Sequence, residues 1–419
     1  MEKTELTNQI QKGNKLINVF IKFSGREIPV GKLILDNRLI HFKYDDDFLK
    51  LGMNLSPIKL NYDNTIQIAK PDPFNGIFGV FDDSLPDGWG MLLLNRALEK
   101  KGLSLNDINL LDQLAFIGDT GKGALIYRPA ITEDEKFSNN IDLDRLKTAM
   151  DEVYYGSSSE IIEELLSLGG SSGGARPKAN VGYNQKTNKL IHGDAILPEG
   201  FEHWIIKFPS SEDPKDIASI EYAYYKMAQA AKITMSECKL LESSKGLKIF
   251  ATKRFDRIGN DRVHMHSMAG LTNDNFRLST IDYGHIIDTA YKLEKSATAR
   301  EKVLRLAVFN IYSHNMDDHS KNFSWLMDES GKWTFSPAYD LTYSSNSIDE
   351  HSTRASGEGA NPGRKQIIEL AEEFSINKPE GIIEQVQESL AQWPIIAKEC
   401  GVSQVSIDRI QTKFLALKD

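Results

Sequence analysis

Apolar residues occupy every second position from Ile17 to Phe23, and similar short apolar segments lie at 30–35 and 39–44. A period of two is typical of β-strands that bury one face. Gly25 and the Asp-Asn pair at 36–37 lie between these segments and are turn-forming residues. The pattern therefore predicts a small antiparallel sheet near the N-terminus.

The pattern changes along the rest of the chain. Helical spacing or composition predicts helices at 91–100, 139–154 and 158–168, and a strand is predicted at 125–128. A second β-rich region is predicted with strands at 179–183, 189–192, 204–208 and 246–254, and a helix at 217–231. From about residue 258 the chain is mainly helical, with helices predicted at 300–314, 382–400 and 405–417 and a loop at 344–363. The order predicts an α+β protein with a cleft between a sheet lobe and a helical lobe.

Composition and charge narrow the class of protein. A chain of 419 residues is longer than a single hydrophobic core usually holds, so more than one lobe is expected. Hydrophobic residues make up 40% of the chain and charged residues 26%, which is typical of a globular protein. The net charge of −9 and the lack of a basic block disfavour intrinsic DNA binding, although a local basic patch or a DNA-binding partner stays open. Two distant cysteines, a polar N-terminus and the lack of a long apolar run predict a cytoplasmic protein without a membrane span.

The strongest chemical signal is the segment 315–322, followed by Asp340. Asp317 and Asn322 are five positions apart, which is the catalytic-loop spacing of protein kinases, and Asp340 lies eighteen residues after Asn322. In kinases the first Asp takes the proton of the acceptor hydroxyl, while the Asn and the second Asp hold Mg²⁺. The alternative is that these carboxylates cap helices and form turns. The combined spacing favours catalysis.

A Gly-rich segment at 169–178 and a lysine on an apolar strand suggest phosphate binding. Four glycines in six positions allow backbone N–H groups to converge on a phosphate, although the segment lacks the Walker A ending and by itself resembles a flexible linker. Lys178 either covers phosphates or is solvated. Lys207 is costly on a buried strand unless an anion pairs with it, and Glu221, fourteen residues on, is its candidate partner. Surface charge is the alternative for both.

Three further positions have two possible roles each. The backbone at 253–257 is a candidate hinge for adenine, but Arg254 and Asp256 are better explained as a structural ion-pair cluster. His319 either orients Asp317 or packs as a structural histidine, and it has no neighbour at metal-ligand spacing. Trp89 is expected to be a core anchor.

Six ordered motifs make the chain resemble the HipA family of bacterial toxin kinases. They cover roughly residues 17 to 395 and are Leu85-Pro-Asp-Gly-Trp-Gly90, Phe116-Ile-Gly-Asp-Thr-Gly-Lys-Gly-Ala124, Gly173-Gly-Ala-Arg-Pro-Lys178, Arg254-Phe-Asp-Arg257, Asp317-Asp-His-Ser-Lys-Asn322 and Pro337-Ala-Tyr-Asp340. Each motif alone is weak, but the ordered set is specific. One departure is Asp318, which stands where better-known members have Gly and adds a negative charge beside the expected metal site.

The resemblance implies a two-lobed protein-kinase-like fold with an additional N-terminal β-rich subdomain. The expected regions are 16–128 (N-terminal β-rich subdomain), 129–257 (kinase N-lobe-like region) and 258–419 (helical C-lobe). The implied activity is that of a non-specific serine/threonine protein kinase using ATP and Mg²⁺. Asp317 and Lys207 are the expected catalytic residues, Asn322 and Asp340 the metal ligands, and Glu221 a supporting residue. The expected ATP contacts are Ser172, Gly173, Gly174, Ala175, Lys178, Lys207, Lys253, Phe255, Asp317, His319, Lys321 and Asp340.

The resemblance also implies regulation and partners. Autophosphorylation of Ser171, or of the adjacent Ser172, would expel the Gly-rich loop and silence the enzyme. The expected partner is a HipB-like helix-turn-helix antitoxin in a type II toxin–antitoxin system, with DNA bound only through that antitoxin. The expected substrate is a protein, with an aminoacyl-tRNA synthetase as the best-known target. A small-molecule kinase and a catalytically inactive antitoxin/DNA-complex module stay open as alternatives.

Overall fold

The computed structural model describes residues 13–131, 140–156, 161–170, 173–193, 196–345 and 349–415. Within them the chain forms two compact units. Unit 1 comprises Met1–Asp213, Leu241–His266 and Met327–Gly331, and unit 2 comprises Pro214–Leu240, Ser267–Leu326 and Lys332–Asp419. The expected division into 16–128, 129–257 and 258–419 stays a prediction.

The described part of the chain contains both strands and helices throughout. The strands are β1 Leu16–Phe23, β2 Arg26–Asp36, β3 Leu39–Tyr44, β4 Gln67–Ile68, β5 Leu125–Arg128, β6 Lys178–Asn184, β7 Lys189–His192, β8 Glu202–Lys207, β9 Cys238–Glu242, β10 Lys248–Lys253, β11 Arg257–Ile258, β12 Asp261–Arg262, β13 His264–Ser267, β14 Ser324–Met327 and β15 Trp333–Phe335. The helices are α1 Asp46–Leu49, α2 Gly79–Asp82, α3 Trp89–Lys100, α4 Leu110–Ile117, α5 Leu143–Tyr154, α6 Ile162–Gly169, α7 Ile217–Ala230, α8 Met268–Thr272, α9 Tyr283–Glu294, α10 Ala297–Tyr312, α11 Arg364–Glu373, α12 Pro379–Ala391, α13 Trp393–Glu399 and α14 Gln404–Leu415.

The N-terminal sheet of unit 1 has the strand order β4-β3-β2-β1-β5. Its pairs are antiparallel, and the alternate residues Ile17, Val19, Ile21 and Phe23 of β1 are all buried. The prediction of an antiparallel sheet in this region is confirmed. Alternate apolar residues predict a strand with one buried face because successive side chains of a strand point to opposite faces.

The second sheet has the order β7-β6-β8-β10-β9. In unit 1, α3, α5 and α6 contribute to one buried apolar cluster with strands β6, β8 and β10. Trp89 is 1% exposed within this cluster, which confirms that it anchors the core. The ends of β6 and β8 are thereby fixed, and both ends carry lysines of the candidate site.

Unit 2 is mainly helical, and α7, α9, α10, α12 and α13 contribute most of its apolar core. Tyr224 of α7 packs edge-on against Phe309 and Trp393, and its hydroxyl donates to the Ser313 carbonyl at 2.6 Å. This buried contact fixes the end of α10, after which the catalytic-loop motif begins.

The structure departs from the prediction at several elements. The single helix predicted at 382–400 is two helices, α12 and α13, separated at Gln392. Pro394 explains the break, because proline has no backbone N–H and its ring clashes with the preceding turn. Strand β9 has no counterpart in the prediction, because its buried side chains do not alternate clearly.

Candidate active site

The catalytic-loop motif forms a closed turn after α10. The Asn322 side-chain Nδ2 donates to the Asp317 carbonyl at 2.7 Å, so the two residues at kinase spacing are in direct contact. The Asp317 carboxylate is 65% exposed, and His319 Nε2 lies 3.8 Å from it. The bond uses the amide nitrogen of Asn322 and not its Oδ1 oxygen, the atom predicted to bind Mg²⁺.

Tyr339, the residue before Asp340, is bonded to this turn. The Tyr339 hydroxyl donates to the Lys321 carbonyl at 2.6 Å and is also 2.6 Å from the Ser324 hydroxyl. Asp340 itself has φ of 54°, a left-handed conformation that a non-glycine residue seldom adopts outside functional or tightly fixed sites. Sequence spacing had suggested Asp340, but the hydroxyl that holds its segment was not anticipated.

Asp318 has an environment unlike that of its exposed neighbour Asp317. It is fully buried, and its carboxylate accepts from the Tyr283 hydroxyl at 2.6 Å and from the Thr353 backbone N–H at 3.1 Å. His351 Nδ1 lies 3.0 Å from the same carboxylate. The carboxylate is therefore held in the interior of unit 2 by α9 and by the segment around residue 351.

A chain of buried amides and hydroxyls continues from this carboxylate to the backbone of Asp317. The Asn310 Nδ2 donates to the Tyr283 hydroxyl, and the Asn315 Nδ2 donates to Asn310 Oδ1, both at 3.0 Å. The Ser344 hydroxyl donates to Asn315 Oδ1 at 3.0 Å and accepts from the Asp317 N–H at 2.9 Å. No spacing rule would have linked these residues, because they lie on four separate segments.

Unit 1 holds the Gly-rich turn and two of the predicted lysines. Lys178 and Lys207 are direct register partners on the antiparallel strands β6 and β8. Lys178 is only 7% exposed, and its ammonium donates to the Gly173 carbonyl. Directly opposed like charges destabilise a sheet unless something offsets them. Phosphate binding by these two lysines stays a prediction.

The Leu85–Gly90 motif contacts the Gly-rich turn directly. The Trp89 backbone N–H donates to the Gly174 carbonyl at 2.9 Å, and the Trp89 indole N–H donates to the Lys178 carbonyl at 3.1 Å. A Cβ on Gly88 would lie 2.4 Å from the Gly174 carbonyl oxygen, so only glycine allows this approach. Sequence reasoning identified Trp89 as a core residue but missed its bonds to the turn.

The 253–257 segment contains the expected ion-pair cluster. Asp256 is buried between Arg254, at 2.7 Å, and Arg257, at 2.8 Å, which confirms the structural interpretation. Burial opposes ionisation of Asp256, but the two guanidinium groups outweigh it and hold the pKa of this carboxyl well below its usual range. Lys253 pairs with Glu202.

The remaining predicted residues are placed as follows. Ala175 is exposed, and Phe255 and Lys321 are half-buried. Glu221 is buried on α7 of unit 2, whereas Lys207 lies in unit 1 with its ammonium 5.4 Å from the Phe250 ring centre. Their pairing stays a prediction. Ser171 and Ser172 lie outside the described residues.

The donor set suits a nucleotide and a hard cation. Buried His319 Nδ1 has no hydrogen-bond partner among the described residues, and His319 packs against Phe276, 5.2 Å away between ring centres. In the part of the chain that the structure describes, no three His, Cys, Asp or Glu residues form a metal cluster. Asn322 and Asp340 therefore stay the predicted Mg²⁺ ligands, with the remaining ligands expected from phosphates and water.

Comparisons with known proteins agree with this architecture. The family model described as the HipA-like C-terminal domain matches residues 170–393, and the HipA N-terminal domain model matches residues 22–128. The chain resembles Shewanella oneidensis MR-1 HipA, solved as a complex with HipB and operator DNA, with a TM-score of 0.68, 17% identity and 96% of each chain covered. It is also 29% identical over 173 residues to the candidate kinase Y4dM of Sinorhizobium fredii, a match that spans 37% of this chain and only 41% of that relative.

The fold and the motifs define an α+β protein with the protein-kinase-like fold. The chain belongs to the HipA family, whose N- and C-terminal domain models both match it. Among the described residues, no helix is long and apolar enough to span a membrane.

Proposed function

We propose that this protein is an ATP- and Mg²⁺-dependent serine/threonine protein kinase that acts as the toxin of a type II toxin–antitoxin system. The observation that carries the proposal is the pairing of Lys178 with Lys207 at the end of a Gly-rich turn. Two facing lysines that follow a Gly-rich segment support a polyphosphate ligand. The catalytic loop of unit 2 supplies the groups that phosphoryl transfer needs.

Each residue has a separate role in the proposed reaction. Asp317 accepts the proton of the acceptor hydroxyl, whose oxygen bonds to the γ-phosphorus while the bond to the ADP oxygen breaks. Lys178 and Lys207 hold phosphate oxygens. Asn322 and Asp340 would hold Mg²⁺, which neutralises charge on the phosphates when bound. The exposure of the Asp317 carboxylate suits access by a protein substrate.

Regulation by autophosphorylation belongs to the same proposal. Phosphorylation of Ser171, or of Ser172, would add about two negative charges beside the lysines that receive ATP phosphates. The ordered loop would then be disfavoured and the enzyme silenced. Mass spectrometry of Ser171→Ala and Ser172→Ala variants after incubation with Mg²⁺-ATP identifies the modified residue.

The proposed partner is a HipB-like helix-turn-helix antitoxin, because the similar Shewanella protein is a complex with HipB and its operator DNA. DNA contact would come through the antitoxin, in keeping with the net charge of −9. A protein substrate, for which an aminoacyl-tRNA synthetase is the first candidate, is part of the proposal.

Radiolabelled ATP tests the catalytic claim. The purified full chain should transfer the γ-phosphoryl group to itself or to a protein acceptor in the presence of Mg²⁺. Asp317→Asn should lower transfer at least about 100-fold while ATP still binds, because a general base contributes about that much. Lys186→Met, at an exposed lysine of the β6–β7 turn, should behave as the unaltered protein.

The outcomes separate the alternatives. Transfer only to a small metabolite would favour the small-molecule kinase, and growth arrest that survives Asp317→Asn would favour the inactive antitoxin/DNA module. Absence of both ATP binding and transfer in dephosphorylated protein would reject the kinase proposal.

A further inference from the structure

We propose that the outer face of the N-terminal sheet is a self-association surface, through which two copies of this chain pack sheet against sheet about a two-fold axis. The surface is formed by β1 to β4 of unit 1. The proposal goes beyond the proposed kinase function and does not depend on it. It rests on one apolar row of side chains and on the opposite charges at the two sides of that row.

The apolar row crosses the sheet from β1 to β4. Leu16 of β1 pairs in register with Ile34 of β2. His41 of β3 pairs with Ile34 on one side and with Ile68 of β4 on the other. Residues directly opposite each other in antiparallel strands point to the same face. Leu16, Ile34 and Ile68 are 40%, 44% and 56% exposed, and His41 is half-buried, so four neighbouring strands present one continuous row to solvent.

The opposite face of the same strands forms the core, where Ile17, Leu33 and Phe42 are fully buried. An antiparallel sheet that packs one face on a core usually carries polar residues on its other face. Single exposed apolar residues are common on proteins, but a row in register across four strands indicates a contact surface. Packing against a second apolar surface would remove these side chains from water, which is favourable.

Charged residues of opposite sign lie on the two sides of the row. Asp36 and Lys32 lie on β2 two residues from Ile34 in opposite directions, about 7 Å away along the strand. All three side chains point to one face, because side chains alternate along a strand. Asp36 and Lys32 are both exposed, and neither has an ion pair within the residues that the structure describes. The row therefore has a negative group on one side and a positive group on the other.

This arrangement is self-complementary, so a second copy of the chain is the partner that it fits. In an interface with two-fold symmetry the same patch of both copies is in contact. With the axis along the apolar row, Ile34 meets Ile34 of the second copy, and Asp36 of each copy meets Lys32 of the other. Lys43, the register partner of Lys32, then lies opposite Leu39, which its aliphatic stem can cover. A uniformly acidic or basic partner would be repelled by one side of the row.

Sedimentation velocity of the full-length protein over a range of concentrations tests the surface. A salt concentration of about 0.15 M screens the long-range repulsion between two copies with a net charge of −9. The unaltered protein should form a dimer at high micromolar concentration, because a face of this size gives a weak interface. Ile34→Lys should abolish the dimer with an unchanged Tm, since Ile34 is exposed. Ile395→Lys, at an isoleucine of α13 that is 64% exposed, should leave the dimer unchanged.

Exchange of the two charges tests the two-fold arrangement. Asp36→Lys alone and Lys32→Asp alone should each weaken the dimer about tenfold, because two facing pairs in each dimer become like-charged. The double variant should restore the dimer, and so should an equimolar mixture of the two single variants. Both place opposite charges face to face again.

Every outcome decides for or against the surface. A monomer at all concentrations would overturn the proposal and leave the face to a different protein. A dimer that persists in Ile34→Lys would place the contact elsewhere and also overturn it. A mixture of the two single variants that associates no better than either variant alone would overturn the two-fold arrangement. Phosphoryl transfer is measured separately, so none of these results bears on the proposed kinase function.

Discussion

At the residue scale, two adjacent carboxylates have opposite surroundings. Asp317 is exposed and can meet a substrate, whereas Asp318 is fully buried and bonded to Tyr283, His351 and Thr353. Burial of a carboxylate without hydrogen-bond donors would destabilise the folded state by several kcal/mol. The three neighbouring groups offset that cost, so Asp318 can hold the loop in place. We therefore expect Asp318 to affect the proposed reaction through the position of Asp317.

Asp318→Asn should lower both stability and turnover. Loss of the charge weakens the bonds from Tyr283 and His351, and we expect a loss of about 2 kcal/mol in the free energy of unfolding. The proposed phosphoryl transfer should show a lower kcat with little change in the KM for ATP, because the nucleotide lysines are untouched. Urea unfolding and steady-state kinetics measure the two effects.

Tyr283→Phe and Asp408→Asn are the matched variants for that measurement. Tyr283→Phe removes one donor to Asp318. It should lower kcat by less than Asp318→Asn does, again with little change in the KM for ATP. Asp408→Asn changes an exposed carboxylate of α14 and should change neither quantity. A destabilised Asp318→Asn protein with an unchanged kcat would show that Asp318 has no positioning role.

At the element scale, the start of α3 serves as a support for the Gly-rich turn. Gly88 has φ of 46°, and its missing side chain lets the turn approach within bonding distance of Trp89. The shape of the turn therefore depends in part on a helix more than eighty residues away in the sequence.

Gly88→Ala should displace the Gly-rich turn and weaken ATP binding about tenfold or more, because a Cβ at this position overlaps a carbonyl oxygen. Isothermal titration with ATP measures the loss. Gly52→Ala is the control for backbone strain, since Gly52 also has positive φ, 73°, but no atom lies within 4 Å of the added Cβ. Equal ATP affinity in both variants would contradict the supporting role of α3.

Element boundaries show what local pattern can and cannot determine. The strand at 189–192 and the helix at 217–230 agree with the prediction almost residue for residue. For the helix the reason is that its apolar positions follow helical spacing. Residues 110–117 form a helix with an Asn109 cap that was not predicted, since a short apolar run fits a buried strand equally well.

At the scale of the whole molecule, buried histidines make stability depend on pH. His203 and His264 are nearly fully buried in unit 1. Burial, with Arg254 nearby, lowers the pKa of His203 to about 4, and burial, with His266 nearby, lowers the pKa of His264 to about 3. Both are neutral in the folded protein at pH 7 and must gain a proton when the chain unfolds in mild acid.

Stability should therefore fall as the pH drops from 7 to 5. A depressed folded-state pKa gives stability that is complete above the unfolded value of about 6.5 and is lost below it, at about 1.4 kcal/mol per pH unit for each histidine. The expected loss at pH 5 is about 2 kcal/mol for each. Asp256, whose pKa is also depressed, adds to the loss only below about pH 4.

Urea unfolding at several pH values checks this dependence. His264→Gln should reduce the slope between pH 7 and pH 5, because one of the buried histidines that titrate in this range on unfolding is removed. A slope in His264→Gln equal to that of the unaltered protein would refute the assignment.

The amino-acid sequence alone determined the α+β class, the N-terminal antiparallel sheet, the family and the spacing of Asp317, Asn322 and Asp340. These depend on local periodicity and on short motifs, which a chain carries in residue order. The roles of the individual site residues stay predictions until they are measured.

Tertiary structure decided which neighbours those residues have. Only the folded chain places Trp89 and Lys122 at the Gly-rich turn, sets Lys178 opposite Lys207, and turns Asp318 inward while Asp317 faces solvent. The physical reason is that hydrogen bonds and charge interactions depend on distance in space, and the segments concerned are dozens of residues apart along the chain.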